Sequence, residues 1–516
     1  VTAPDTLPAL LEEAARRFPR DPALAAADRP PLSFAALAAA TRRVAEGLAR
    51  QGIGPGDRVG IWLPNRPEFL ILLFALARLG AAAILLNTRW RTEEAGRVLD
   101  RARVSAVAVD ASFAAADIPG LLHALLPEAR APVRFVLALD AGGRESIGGV
   151  PVVPWAVVDR APERAADESA PEGIALAYAT SGTTAGPKLV LHRQAALARH
   201  AAAVALRAAL SPGAVALHAV PLCGTFGLTL ALAALAGGAK GVTLPRFEAA
   251  MADRVIRAER VTHMVAPDAL LLALAEAAGG RPYSRFAFTG VARFGPEAAR
   301  AVAAAEALGL SPLGVYGSSE AQALFAFRAP LDPEVTVGGG IPADPQAAWR
   351  IHDPDEEGAG ELWLRGPSLF AGYLGDPAAT ARAFTPDGWF RTGDRARPAE
   401  GGGFSFLHRL GETLRVAGHA FAPEEVEGFL ARQPGVSAAQ VVAGPDGRPV
   451  AFVTGAAADP AALLAACEAN LAPYKRPVRI LVLDAFPLAD GPNGPKIQRH
   501  RLREMAAAVP ATADPA

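Results

Sequence analysis

Apolar positions recur along the chain with two different periods, and the changes of period mark its elements. Between residues 7 and 50 they return at helical spacing, with Leu7, Leu10, Leu11 and Ala14 on one face and charges opposite. That stretch predicts amphipathic helices. After a turn over Gly52–Asp57, the pattern predicts a strand at Val59–Leu63, a helix at Asn65–Leu79 and a strand at Ala81–Leu86. A helix at Arg89–Arg103 and a strand at Val104–Val109 follow. The alternation resumes with helices from Ala195 to about Leu210, up to Ala236, and over Ala250–Arg260. Strands at Ala214–Val220, Gly241–Leu244, Val261–Val265, Phe286–Thr289 and Gly314–Tyr316 lie between or after them. Strands alternating with helices predict parallel sheets joined by crossover helices.

The most apolar run, Phe69–Leu86, is interrupted by Arg78 and Gly80 and bounded by turn residues. It reads as a buried helix followed by a buried strand, not as a membrane span. The Gly-, Pro- and charge-rich stretch Asp140–Ala170 reads as a surface connection. After Gly340 the period shortens, and Ala348–His352 and Glu361–Arg365 predict an antiparallel β-subdomain. A fresh α+β pattern runs from about Gly411 to Glu504, and the tail from Ala506 reads as disordered. The pattern therefore predicts an α/β chain: a parallel-sheet part and the β-subdomain up to 408, a candidate hinge at 409–412, a small α+β domain (413–505) and a tail (506–516).

A chain of 516 residues exceeds one ordinary core, in keeping with that division. Lys and Arg (51) balance Asp and Glu (52), so no basic field exists to hold nucleic acid. Cys223 and Cys467 lie too far apart in sequence for a metal-ligand spacing. With acids and prolines ahead of any apolar run, no leader is expected. A cytoplasmic location is expected.

The chemistry gathers in turns. Between the apolar runs Ile174–Tyr178 and Leu189–Leu191 lie Thr180, Ser181, Gly182, Thr183, Thr184 and Lys188. Small hydroxyls, glycine and a lysine suit a polyphosphate, although the spacing is not that of a Walker A loop. Ligands of open α/β sheets bind beyond the carboxyl ends of strands. That rule puts Gly290, Val291 and Ala292, and the turn Tyr316-Gly317-Ser318-Ser319-Glu320, on one rim with the 180–188 loop.

Taken together these stretches resemble the ANL superfamily of adenylate-forming enzymes, nearest to its acyl- and aryl-CoA synthetases (AMP-binding). Thr180–Lys188 matches the superfamily's T-S-G-T-T-G-x-P-K except at one position, Tyr316–Glu320 matches Y-G-x-[ST]-E, and Asp387–Asp394 matches D-G-W-F-x-T-G-D. Gly418 through Glu427, Leu471–Pro477 and Lys496–Arg499 match its C-terminal stretches. The resemblance implies a large multi-lobed N-terminal domain (layered α/β plus the β-subdomain), a small mobile C-terminal domain and a two-step ligase. A carboxylic acid and ATP, with Mg²⁺, give an acyl-AMP and pyrophosphate, and coenzyme A then takes the acyl group and releases AMP. It also implies roles for single residues. Lys496 would steady the carboxylate and α-phosphate oxygens, and Glu320 would hold the metal. Asp394 and Arg409 would hold the ribose, Tyr316 would stack on adenine beside Gly290 and Ala292, and Gly418 would line the thiol tunnel. His192, Cys223, Gly224 and Phe226 are candidates for the acyl pocket, and Gly411 for the hinge.

Four positions depart from the pattern: Ala185 in the phosphate loop, Gly224 where the family often has histidine, Gly411 at the hinge, and Pro495 before Lys496. Two alternatives stay open at this point. One is an acyl-AMP ligase that loads a carrier-protein phosphopantetheine; the other is a weakened homologue that senses nucleotide or acyl ligand. The chain also allows a homodimer.

Overall fold

The computed structural model describes residues 4–26, 29–180, 188–292, 298–328, 338–410, 414–416, 419–421, 423–471, 473–491 and 494–508. Among them, two large sheets carry most of the chain up to residue 409. The nine-stranded sheet is parallel from Ile174–Ala179 through Ala82–Leu85, Arg58–Trp62, Ala106–Val109 and Phe135–Ala138 to Val150–Pro154. Two antiparallel strands, Leu189–Arg193 and Gly372–Tyr373, close its other side. The thirteen-stranded sheet is parallel from Pro22–Ala26 to Pro312–Ser318. It then continues antiparallel from Gln322–Phe327 to Ala348–His352. The expected β-subdomain is thus the far half of a sheet whose near half is parallel.

Two helices show how the sequence places the core. All twelve residues of Pro67–Arg78 are buried. Its one basic residue, Arg78, meets Glu12 Oε1 at 2.6 Å and Asp167 Oδ2 at 3.2 Å, so the charge enters the interior paired. Strand Ala82–Leu85 follows directly, as the apolar run Phe69–Leu86 predicts. Among the described residues no helix is long and apolar enough to cross a membrane. Helix Thr225–Gly237 is buried from Thr225 to Leu235 and apolar all round, because it has core on both sides. Leu228, Ala231, Leu232 and Leu235 join one cluster, while Phe226, Leu230, Ala233 and Ala234 join another.

Three expectations need correction. The stretch 7–50 is not all helix: Leu7–Arg17 and Phe34–Arg50 flank a hairpin of Pro22–Ala26 and Arg29–Ser33. Alanine-rich and proline-broken, that segment becomes strand only because Leu24 and Ala25 pair with Gly241 and Val242. Residues 140–170 are not merely a connection. Val150–Pro154 extends the nine-stranded sheet, and helix Trp155–Asp159 seats Val158 against Gly47, where an added Cβ would lie 2.4 Å from Val158 Cα.

At the C-terminal end, hairpin Leu414–Val416/His419–Phe421, helix Pro423–Leu430 and a three-stranded sheet bear out the α+β pattern. The last helix, Arg499–Ala508, runs past the expected boundary at 505. Leu502 and Ala506 are fully buried against Val442, Val450 and Phe452, so the start of the expected tail belongs to this domain's core. Its first residue, Arg499, meets Glu427 Oε1 at 2.9 Å.

Candidate active site

Strands Ile174–Ala179 and Leu189–Arg193, on either side of the phosphate-loop candidate, pair antiparallel. Ala179 pairs with Leu189, Tyr178 with Val190, and Thr180 N–H donates to Lys188 O at 2.9 Å. Thr180 and Lys188 therefore stand at the loop's two feet. Ser181, Gly182, Thr183, Thr184 and Ala185 lie outside the described residues, as do Gly411 and Gly418. This strand pair belongs to the nine-stranded sheet, whereas Gly290–Ala292 and Tyr316–Glu320 belong to the thirteen-stranded one. A single rim is thus not what unites them; the two sheets meet there.

The turn 316–320 is where they meet. His192, on strand Leu189–Arg193, is fully buried and bonds through Nε2 to Ser319 O at 2.7 Å. Its ring stands edge-on to Tyr178. From helix Gln194–Arg207, His200 Nε2 bonds to Ala323 O at 2.8 Å. Burial pulls both imidazoles down to about 4, so at neutral pH each is an uncharged donor to a backbone carbonyl. Gln322 completes the brace by donating to Ala196 O and Ser368 O at 3.1 and 2.9 Å, from a left-handed backbone at φ 65°. His192, expected in the acyl pocket, thus serves as part of the brace.

The local chain obeys strict geometry. A Cβ on Gly317 would fall 2.4 Å from Gln322 O and 2.6 Å from Ala323 Cα, so only glycine lets the two arms of the turn approach. Ser318 Oγ accepts from the N–H groups of Glu320 and Ala321 at 3.2 and 3.1 Å. Glu320 O accepts from Phe370 N–H at 2.8 Å, and Glu320 Oε1 accepts from the Tyr373 hydroxyl at 2.9 Å. The Lys188 ammonium stands 4.7 Å above the Tyr373 ring. Sequence reasoning missed Tyr373; a Gly-Tyr pair between other motifs gave no chemical signal.

Next to this lies a second charged pair. Asp394 is buried on strand Phe390–Pro398, and Arg409 ends the neighbouring strand Phe404–Arg409, with Asp394 and Arg409 directly paired in the register. Arg409 Nη1 donates to Asp394 Oδ1 at 2.6 Å and the Tyr316 hydroxyl to Oδ2 at 2.5 Å. Burial raises the Asp394 carboxyl above its usual range, even though Arg409 and Tyr316 pull the other way. Glu320 adds to the rise and also favours the charged Arg409, which places all three in one electrostatic neighbourhood. The Tyr316 ring packs edge-on to Phe404 and is buried.

Cys223 and Gly224 lead into the buried helix Thr225–Gly237, and Gly224 is its N-cap residue. Asn65 pins this entry by donating to His218 O and Val220 O and accepting from Leu222 N–H. Cys223 shares a cluster with Tyr178, Tyr316 and Tyr373, whereas Phe226 turns to the other cluster with Val291. They do not share one wall. Lys496 lies on strand Gly494–Ile497, opposite Ala489.

The site thus offers two cations, Lys188 and Arg409, two carboxylates, Glu320 and Asp394, and a glycine-dependent turn. Among the described residues no cluster of three His, Cys, Asp or Glu could cage a metal alone. A magnesium ion arriving with a polyphosphate needs only one or two carboxylates, since phosphates and water fill its other positions, and Glu320 fits that part.

Comparison with known proteins agrees with this geometry. The AMP-binding enzyme pattern matches residues 11–374, and the AMP-binding enzyme C-terminal domain matches residues 425–490. The chain belongs to the AMP-binding enzyme family. It is 32% identical to a 7a-methyl-1,5-dioxo-octahydro-1H-inden-4-yl propanoyl:CoA ligase of Mycobacterium tuberculosis, covering 97% of this chain and 99% of the relative. It is also 32% identical to a 2-hydroxy-7-methoxy-5-methyl-1-naphthoate–CoA ligase of Streptomyces carzinostaticus, over 96% and 92% of the two chains. Among solved structures, o-succinylbenzoate CoA synthetase from Bacillus subtilis, in complex with its acyl-adenylate intermediate, superposes with a TM-score of 0.80. That match has 25% identity and covers 98% of this chain and 99% of the other.

Proposed function

We propose that this protein is an ATP-dependent carboxylic acid–CoA ligase working in two steps through an acyl-adenylate, with an acid carrying a bulky aromatic or alicyclic group. The observation that carries the reading is the convergence of Lys188, Glu320, Asp394 and Arg409 at the meeting of the two sheets. Both relatives named above are CoA ligases of polycyclic acids, which supports the thiol and the acid class.

In the first step an oxygen of the acid's carboxylate attacks the α-phosphorus of ATP. The bond to the bridging oxygen breaks and pyrophosphate leaves with the electron pair. This chemistry is mostly positioning and charge stabilisation. Lys188 neutralises the outgoing phosphates, and Glu320 would hold a magnesium ion, which when bound would screen charge on the phosphate oxygens. Asp394 accepts the ribose hydroxyls, with Arg409 keeping it ionised. Lys496 contacts the carboxylate and the α-phosphate as charge develops there. In the second step the CoA thiol gives up its proton, its sulfur attacks the acyl carbon, and AMP leaves. By the family resemblance, Gly418 would line the thiol's path and Gly411 would let the C-terminal domain turn between the steps. Both free cysteines are buried thiols, in keeping with a reducing, cytoplasmic compartment.

The test is pyrophosphate release with ATP, Mg²⁺ and a panel of aromatic, alicyclic and aliphatic acids, each with and without CoA, with products resolved by mass. Acyl-CoA from the ring-bearing acids is expected. Acyl-AMP that persists with CoA present would favour a carrier-protein thiol, and bound ATP without turnover across the panel would overturn the ligase. Lys496→Ala is expected to lose acyl-AMP formation and keep nucleotide binding.

A further inference from the structure

Tyr373 lies in none of the segments that carry the site's charges, yet it touches two of them. It sits in the two-residue strand Gly372–Tyr373 on the outer edge of strand Leu189–Arg193, paired with Val190. The chain around it is fixed at four points. Ala371 N–H donates to Leu191 O at 2.7 Å, Leu374 N–H to Leu189 O at 2.9 Å, and Tyr373 N–H to Thr380 Oγ1 at 2.9 Å. Three residues earlier, Phe370 N–H donates to Glu320 O at 2.8 Å. The short segment 370–374 therefore ties the foot of the phosphate loop to the turn that bears Glu320.

Lys188 and Glu320 have opposite charges and approach the same phenol ring from different sides. A bare lysine and carboxylate at close range would pair with each other, and Arg409 also exerts its field on this carboxylate's surroundings. Such a collapse would take both groups away from a ligand. Tyr373 instead holds each group by a contact of a different kind. Its O–H holds Glu320 Oε1 at 2.9 Å, and the face of its ring holds the Lys188 ammonium at 4.7 Å.

We propose that Tyr373 is a positioning residue for the metal–nucleotide complex. Its hydroxyl fixes the Glu320 carboxylate in the orientation from which it would hold a magnesium ion, and its ring separately holds Lys188 ready for phosphate. The proposal rests on the ligase reading above. Hydrogen-bond partners behind a metal-bound carboxylate typically change metal affinity by about ten- to a hundred-fold.

The two contacts can be separated with the full-length chain. Tyr373→Phe removes only the hydroxyl, whereas Tyr373→Leu removes the ring as well. Two affinities are measured: that of a non-hydrolysable ATP analogue without metal, by calorimetry, and that of Mn²⁺ for the analogue-bound protein, by electron paramagnetic resonance. Thermal denaturation checks folding. For Tyr373→Phe, Mn²⁺ affinity is expected to fall about tenfold while metal-free analogue binding stays at the wild-type value. For Tyr373→Leu both are expected to fall. A Tyr373→Phe protein that binds Mn²⁺ like wild type, or that loses metal-free analogue binding as much as Tyr373→Leu does, overturns the proposal. Wild-type protein that binds no analogue at all would overturn the ligase reading, and this proposal with it.

Discussion

The Tyr316 hydroxyl lies 2.5 Å from Oδ2 of Asp394, and these two residues come from different motifs 78 positions apart. Arg409 takes the other oxygen at 2.6 Å, so the buried carboxylate is held from both sides. A hydrogen bond to a charged group contributes about 1.5–3 kcal/mol. Tyr316→Phe is therefore expected to lower the urea midpoint and weaken ATP binding together, because the carboxylate loses a donor while staying buried.

Asp394→Asn is expected to separate stability from binding. Burial raises the folded pKa of Asp394 above its unfolded value. Its contribution to stability is then fully present below the unfolded pKa and is lost as pH rises through the folded one, so above that window the ionised group costs stability. Arg409 keeps 55% of its side chain exposed and can stay solvated without it. The variant should melt at or above the wild-type temperature, while its ATP affinity falls at least about tenfold, the scale set by losing charge-assisted bonds.

Three buried histidines, His192, His200 and His218, have pKa values pulled down to about 4. Folded values below the unfolded 6.5 mean that the unfolded chain binds more protons between the two. Stability is then retained above pH 6.5 and lost as pH falls towards 4, by about 1.4 kcal/mol per pH unit for each histidine. Urea midpoints measured across that window should show it. His200→Gln keeps a donor for Ala323 O and removes one titrating group, so it should be close to wild type at pH 7 and comparatively more stable at pH 5.

Gly317→Ala places a methyl group 2.4 Å from Gln322 O, where backbone atoms would have to move. Overpacking of this kind costs about 1–3 kcal/mol. The shift falls on the turn that carries Glu320, so adenylation should drop further than the melting temperature alone would suggest. Comparing the variant's pyrophosphate release at saturating ATP with its urea midpoint checks this.

The chain by itself determined the element types wherever an apolar period is long. Pro67–Arg78 and Ala82–Leu85 follow from hydrophobicity interrupted by Arg78 and Gly80. Lys188, Glu320, Asp394 and Arg409 were named from the chain, the last three through motifs that resemble a family's, and the structure brings the four close together. What only the tertiary structure decided depends on pairing across distance. Strand Pro22–Ala26 has no strand signal of its own and forms by lying beside Lys240–Thr243. The phosphate loop and the Glu320 turn proved to sit on different sheets, joined by His192 and by Tyr373. Neither residue announces that role locally, because a buried histidine and an aromatic beside a glycine read as ordinary core. Their function comes from which carbonyl or carboxylate they meet, and long-range packing sets that.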